Sequence, residues 1–183
     1  MRTDSDRKTD IILLEFGQCS NGTGKETYTI MDYERIVEKN IDIVYRTVLS
    51  YCKNTQDTDD IVQNTFAKLL QTDTEFQDDE HIRRWLIRVA INECKNMWKT
   101  FWRRNVRSID ELECVFEDDR AEQRELLDAI LKLPPKYSVV IQLYYYEGYH
   151  IREIAELLHL TESNVQVRLM RARSKLKDQL REE

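Results

Sequence analysis

"EIAELLHLTESNVQVRLMRARSKL", running from Glu153 to Leu176, decides the fold. Ile151, Ile154, Ala155 and Leu158 recur at helical spacing before a short polar turn, and Val165, Leu169, Ala172 and Leu176 give the following helix a continuous apolar seam. Thr161 stands where a hydroxyl would cap that second helix. The pattern is a helix-turn-helix, in which the second helix lies in the DNA major groove and reads base edges with its first turns, while flanking cations meet phosphates. Thr161, Glu162, Ser163, Asn164, Gln166 and Arg168 then stand where bases would be read, and Arg171, Arg173, Lys175 and Lys177 extend the cationic surface. The same periodicity would also suit a solvated amphipathic helix in a bundle.

The whole chain makes that basic helix conspicuous. It has 183 residues, 41% hydrophobic and 34% charged, with a formal net charge of -6. Such totals suit one ordinary globular domain or two small ones. An acidic protein that gathers cations on one helix is expected to meet an anionic partner there. Three of the four glycines (Gly17, Gly22, Gly24) fall in the first two dozen residues, and the only prolines are Pro134 and Pro135. Punctuation this sparse favours long helices over many short strands. Cys19, Cys52, Cys94 and Cys114 form no CxxC pair and no zinc spacing with His81, His150 or His159, so reduced thiols are expected and no metal or other cofactor. No apolar run approaches the roughly 18 residues of a membrane span. The N-terminal residues do not resemble a signal peptide.

Working outward toward the N-terminus, Val37, Ile41, Val44, Val48 and Cys52 fall on one face of a helix starting near Asp32. "DTDDIVQNTFAKLL" opens with Asp57, Thr58, Asp59 and Asp60, an N-cap and acidic first turn that suit the helix dipole, and Val62, Phe66 and Leu69 or Leu70 form its buried stripe. A third helix is predicted from after Asp79 to about Arg104, with Ile82, Leu86, Val89 or Ala90, Met97 and Phe101 inward. Periodicity lapses in the acidic stretch 106–123, which reads as a linker. Beyond it Leu126, Leu127, Ile130 and Leu131 form a helix that Pro134 and Pro135 must stop, and "KYSVVIQLYYYEGY" forms another ending at Gly148.

A second basic region lies in the third helix. Arg83, Arg84, Arg88, Lys95, Lys99, Arg103, Arg104 and Arg107 stand against the single acid Glu93, interleaved with Trp85, Trp98, Phe101 and Trp102. Cations among aromatics suit single-stranded nucleic acid, since phosphates meet charges and unstacked bases meet rings. Each ring could equally be core beneath a solvated basic face.

"DTDDIVQNTFAKLL", "RRWLIRVAINECKN" and "LKLPPKYSVVIQLYYYEGYHIREIAELLHLTESNVQVRLMRARSKLK" occur in the order and spacing of the sigma-70 family, and the chain resembles its small two-domain extracytoplasmic function (ECF) group from about Asp32 to Leu180. The resemblance implies an all-α protein: a region 2-like helical domain at 31–105, the acidic linker at 106–123, and a region 4-like helix-turn-helix domain at 124–183. It implies a transcription initiation factor in the cytoplasm, not an enzyme, whose partners are bacterial core RNA polymerase, promoter DNA as duplex and as melted strand, and an anti-sigma factor. No membrane insertion is implied. Residue by residue, Asp60, Gln63, Asn64, Phe66 and Leu70 match the family's polymerase-binding face. Asn92, Lys95, Asn96, Lys99, Arg103 and Arg104 match the part that holds the opened minus-ten strand, and the helix-turn-helix residues named above match the minus-thirty-five reader. The two promoter elements, about 17 base pairs apart, lie roughly 58 Å apart along B-DNA at 3.4 Å per step.

The sequence departs from the family at telling places. His159 stands where the turn usually has glycine, Asn96 where aspartate is common, and Gln166 and Val167 where lysine and serine are frequent. Residues 1–30 match nothing in the family, so translation from Met31 is one expectation and a flexible tail the other. The rival reading is a helix-turn-helix regulator that binds duplex DNA without polymerase; it leaves "DDIVQNTF" and the tryptophan-rich basic helix without a task. A metal-dependent hydrolase using Asp57, Asp59 and Asp60 lacks the partner carboxylates and histidines such sites draw from several helices.

Overall fold

In the computed structural model, which describes residues 30–104 and 121–181, seven α-helices and one π-helical segment follow one another. The helices are α1 (Ile30–Cys52), α2 (Thr55–Gln71), α3 (Asp79–Arg104), α4 (Ala121–Lys132), α5 (Pro135–Ile141), α6 (Ile151–Leu158) and α7 (Glu162–Gln179). The π-helical segment, Gln142–Tyr146, continues α5.

The first three helices form a bundle around the expected stripes. Val37, Ile41, Val44 and Val48 of α1 are fully buried, as are Leu86, Ala90 and Cys94 of α3. Leu69, not Leu70, points into this core, and Ala90 takes the place left open between it and Val89. The side chain of Phe101 lies outside the described residues. The cap of α2 differs from expectation: the helix starts at Thr55, and Asn54 caps it by accepting the Asp57 N–H at 2.8 Å. Asn54 in the extended region offers its side chain to that amide, so the acids fall inside the first turns instead of ahead of them. Trp85 meets Phe76 edge-on at 5.6 Å between ring centroids and, partly buried, packs against the core.

The C-terminal unit is α4 to α7. Its first helix begins at Ala121, inside the stretch expected to be linker, and the preceding residues 105–120 lie outside the described part, as do residues 1–29. Pro135 opens α5, where its missing N–H would have had no partner anyway. The helix expected to run evenly to Gly148 widens into the π-turn instead, and buried Gln142 explains the change. Its carbonyl accepts the Glu147 N–H at 3.2 Å and its Nε2 donates to Glu147 Oε1 at 2.9 Å, pinning the chain one residue wide. Gly148 then reverses direction at φ 71.

In the helix-turn-helix, Ile154, Ala155, Leu158, Val165, Leu169 and Ala172 are buried as the seam required, while Ile151 and Leu176 lie at its partly buried ends. His159 adopts the left-handed conformation (φ 55, ψ 52) that closes α6, and the Leu160 N–H reaches Ala155 O at 2.8 Å. The turn is the one glycine usually makes, formed here by a residue that carries some backbone strain. Thr161 caps α7, accepting the Asn164 N–H at 3.2 Å.

The periodicity does not reveal that the C-terminal unit closes onto the bundle. Lys53, buried and left-handed at φ 64 just past α1, donates to Ser138 Oγ at 2.6 Å and to Ile130 O at 3.5 Å. Ser138 in turn donates to Ser50 O at 2.6 Å. Arg46 pairs with Glu147 at 3.0 Å, Arg84 pairs with Glu153, the Tyr149 hydroxyl donates to Glu80 at 3.3 Å, and Lys95 donates to Leu158 O at 3.4 Å.

Candidate nucleic-acid and polymerase interfaces

Three surfaces hold the residues singled out in the sequence. On α7, buried Val165, Leu169 and Ala172 turn Ser163, Asn164, Val167 and Arg171 away from the core. Together with Lys136, Tyr137, Thr161 and Arg168 these four line an open groove of about 420 Å³. Arg168 Nε donates to Asn164 Oδ1 at 2.7 Å, which fixes the guanidinium along the groove. Glu162 and Gln166 are exposed beside it, whereas Arg173 bends back to Leu169 O at 3.3 Å.

Lys136 and Tyr137 are additions that no periodicity could supply, because α5 and α7 meet only in the folded unit. The Lys136 ammonium sits 5.0 Å over the Tyr137 ring. Arg171, by a hydrogen bond and by its charge, and Lys136 hold the Tyr137 phenol below the usual tyrosine range. The groove thus has three cations and no acid among its lining residues, and its field is positive.

On α3, Asn92 and Asn96 are exposed and Lys95 is half-buried against Leu158. The side chains of Lys99, Arg103 and Arg104 lie outside the described residues. Arg88, one turn before Asn92, is exposed on the same stripe and joins the basic face. Glu93, the one acid in the stretch, is tied to Lys68 of α2 at 2.5 Å. Arg84 also binds Glu80 at 3.0 Å, and Arg83 donates to Asn40 Oδ1 at 3.3 Å.

On α2, Asp60 and Asn64 are exposed, and Gln63 and Leu70 are half-buried beside them. Phe66 does not belong to this face. It is fully buried, with its carbonyl accepting from the Tyr33 hydroxyl at 3.2 Å, and it serves the bundle core. A side chain at the i+4 position from Val62 shares Val62's inward direction, so the spacing that puts it in the buried stripe takes it out of the surface that the resemblance implied.

Among the described residues no three His, Cys, Asp or Glu side chains are grouped to hold a metal ion, and no helix is long and apolar enough to cross a membrane. Cys52 and Cys94 are free and buried with their sulfurs 4.0 Å apart. The hydrogen bond to Cys52, and burial, push the Cys94 thiol well above its ordinary pKa.

A helical bundle bearing a basic helix, joined to a helix-turn-helix with an open cationic groove, is the architecture of a DNA-binding transcription factor. The family patterns described as "Sigma-70 region 2" and "Sigma-70, region 4" match residues 36–104 and 123–176. The RNA polymerase sigma factor SigV of Bacillus subtilis (strain 168) is 28% identical over 143 residues, covering 76% of this chain and 85% of that one. The ECF RNA polymerase sigma factor SigW of the same organism is 27% identical over 164 residues, covering 80% and 88%. Among solved structures, the sigma factor RpoE in complex with the anti-sigma factor NepR from Bartonella quintana superposes with TM-score 0.67 at 17% identity, over 82% of this chain and 97% of that one. CnrH in complex with the cytosolic domain of CnrY gives 0.59 at 23% identity, over 98% and 99%. The chain belongs to the sigma-70 family of RNA polymerase sigma factors, in its ECF group. It is a transcription initiation factor that binds RNA polymerase and recognises promoters.

Proposed function

We propose that the three surfaces divide the work of initiation. Asp60, Gln63, Asn64 and Leu70 of α2 meet core polymerase. Asn92, Lys95 and Asn96 of α3, continued by Lys99, Arg103 and Arg104, hold the melted minus-ten strand. The α7 groove reads the minus-thirty-five duplex, with Thr161, Glu162, Ser163, Asn164, Gln166, Arg168, Arg171 and Arg173 around it. The bundle over 31–105 and the helix-turn-helix unit over 124–183 act as two domains on one promoter. The chain acts by binding and distortion, without catalysis of its own, in the cytoplasm where its polymerase works.

The observation that carries this reading is the segregation of charge: a chain of net charge -6 shows DNA one cationic groove free of acids and one basic helix whose interior acid, Glu93, is neutralised. Opening a base pair and holding the flipped base demands a few kcal/mol, supplied by contacts that exist only after melting.

The closed packing adds a condition. Lys95 touches Leu158, and Leu158 precedes Glu162 by four residues, at most about 14 Å of chain. The roughly 58 Å between promoter elements is several times that span. The two units therefore separate when both elements are held, and the closed form is the state off the promoter. A partner that favours closure, of the anti-sigma kind seen with the two structural neighbours, would keep it there.

The test is a titration of labelled full-length protein against bacterial core RNA polymerase, beside the Asp60→Ala/Gln63→Ala variant. Binding that disappears in the variant with folding intact supports the α2 face. Folded protein that ignores polymerase but binds duplex DNA alone would replace the reading with a polymerase-independent regulator.

A further inference from the structure

The α7 groove contains one residue that a purely phosphate-binding surface has no use for. Val167 lies two residues past buried Val165 and two before buried Leu169, so at ~100° per residue it points directly away from the core. It is 39% exposed in the groove, and Met170, three residues on along α7, is 60% exposed. Around Val167 stand Ser163, Arg168, Arg171, Lys136 and Tyr137. An apolar side chain ringed by cations fits a polyanion that carries an apolar group at the same depth. In duplex DNA the thymine C5-methyl is such a group on the major-groove edge, and uptake of apolar contact there distinguishes thymine from cytosine.

We infer that Val167 is a specificity-determining residue that reads a thymine methyl group in the minus-thirty-five element, with Met170 covering the neighbouring base step. The inference rests on the reading of α7 as the minus-thirty-five reader and sharpens it. Arg168, locked by Asn164, and Arg171, beside the Tyr137 phenol, set the depth of the helix by holding phosphates or guanine edges on either side. Depth matters because a branched two-methyl side chain reaches only a short way beyond the helix. Serine at this position would donate or accept a hydrogen bond with any base; valine can only reward a methyl.

The experiment uses the full chain assembled with bacterial core RNA polymerase and a pool of promoter duplexes randomised across the minus-thirty-five region. In the selected duplex each thymine is then replaced by uracil, which differs only in lacking the methyl. Wild-type holoenzyme is expected to lose about three- to fivefold in binding at one or two positions, the worth of one buried methyl. Val167→Ala is expected to bind thymine and uracil duplexes alike at the main position, and Met170→Ala to keep that discrimination. Arg171→Ala should weaken both duplexes by the same factor. Equal binding of thymine and uracil at every position by the wild type, or a thymine preference that survives Val167→Ala, overturns the inference while leaving the minus-thirty-five reading in place. A pool that yields no enriched minus-thirty-five sequence removes both.

Discussion

The two basic helices differ in what already occupies them. Three cations of α3 are engaged from within the chain, Arg84 with Glu80 and Glu153, Arg83 with Asn40, and Lys95 with the carbonyl that ends α6, while Arg88 is exposed. The cations of α7 have no carboxylate within salt-bridge distance among the described residues; Arg168 and Arg173 are ordered by their own helix, and Arg171 by a tyrosine. Both helices carry comparable charge in the sequence. On α7 none of these cations is neutralised, and α7 is the helix proposed to meet duplex DNA, which needs no melting. On the proposed minus-ten helix, Lys95 is held by the unit that on this reading swings away to reach the other element.

The largest change expected from breaking this contrast is on α7. Arg168→Ala/Arg171→Ala should lower minus-thirty-five duplex binding by the holoenzyme by about 2–6 kcal/mol, roughly thirtyfold or more, and flatten its salt dependence by about one unit of slope for each phosphate left without its cation. Titrations at several salt concentrations would show it, and binding to a minus-ten single strand should be unchanged.

Next in size is Lys53→Met, which removes the buried ammonium shared by Ser138 and Ile130 while keeping a side chain of similar length. Loss of a charged hydrogen-bond donor in a buried contact should cost about 1.5–3 kcal/mol of interdomain stability. Energy transfer between dyes on α2 and α7 should report a larger mean separation. An unchanged separation would mean that Arg46, Arg84 and Tyr149 hold the units without it.

A smaller effect is expected for Glu153→Gln. Glu153 is half-buried, holds Arg84 and accepts the His150 N–H at 2.9 Å at the start of α6, and glutamine keeps the second contact while weakening the first. Partly exposed pairs are worth about 0–1 kcal/mol. Minus-ten strand binding should therefore tighten by up to about fivefold at low salt and by less at high salt.

The smallest change is on the α7 side. His159→Gly relieves a left-handed backbone that disfavours side chains by about 1–2 kcal/mol, offset by the 0.5–1 kcal/mol of extra freedom glycine gives the unfolded chain. Thermal unfolding should move up by a few degrees at most, with DNA binding unaltered. A drop in stability would show that His159 makes contacts that offset its strain.

How much of this is legible in the sequence depends on whether the controlling interactions are local. The helices, the apolar seam of the helix-turn-helix and the Thr161 cap follow from spacing within a few turns, and the sequence shows them. His159 can be named as the left-handed residue because the turn it closes is local too. Spacing places Phe66 in the buried stripe of α2, the resemblance places it on a surface motif, and only burial decides between them. Asn54 escapes notice as the cap because three acids just after it look equally suited. The groove partners Lys136 and Tyr137, and the Lys53–Ser138 contact across 85 residues, depend on packing between helices distant in the chain. No periodicity carries that information.

Lys53 also bears on promoter occupancy. A chain that opens before it can hold both promoter elements binds them with an apparent affinity reduced by its open fraction; open about one time in a hundred, it binds about a hundredfold more weakly. Substitutions at Lys53 or Ser138 would change that occupancy without altering any residue proposed to meet DNA. How readily a promoter is filled is then set partly by the contact between the protein's own two halves.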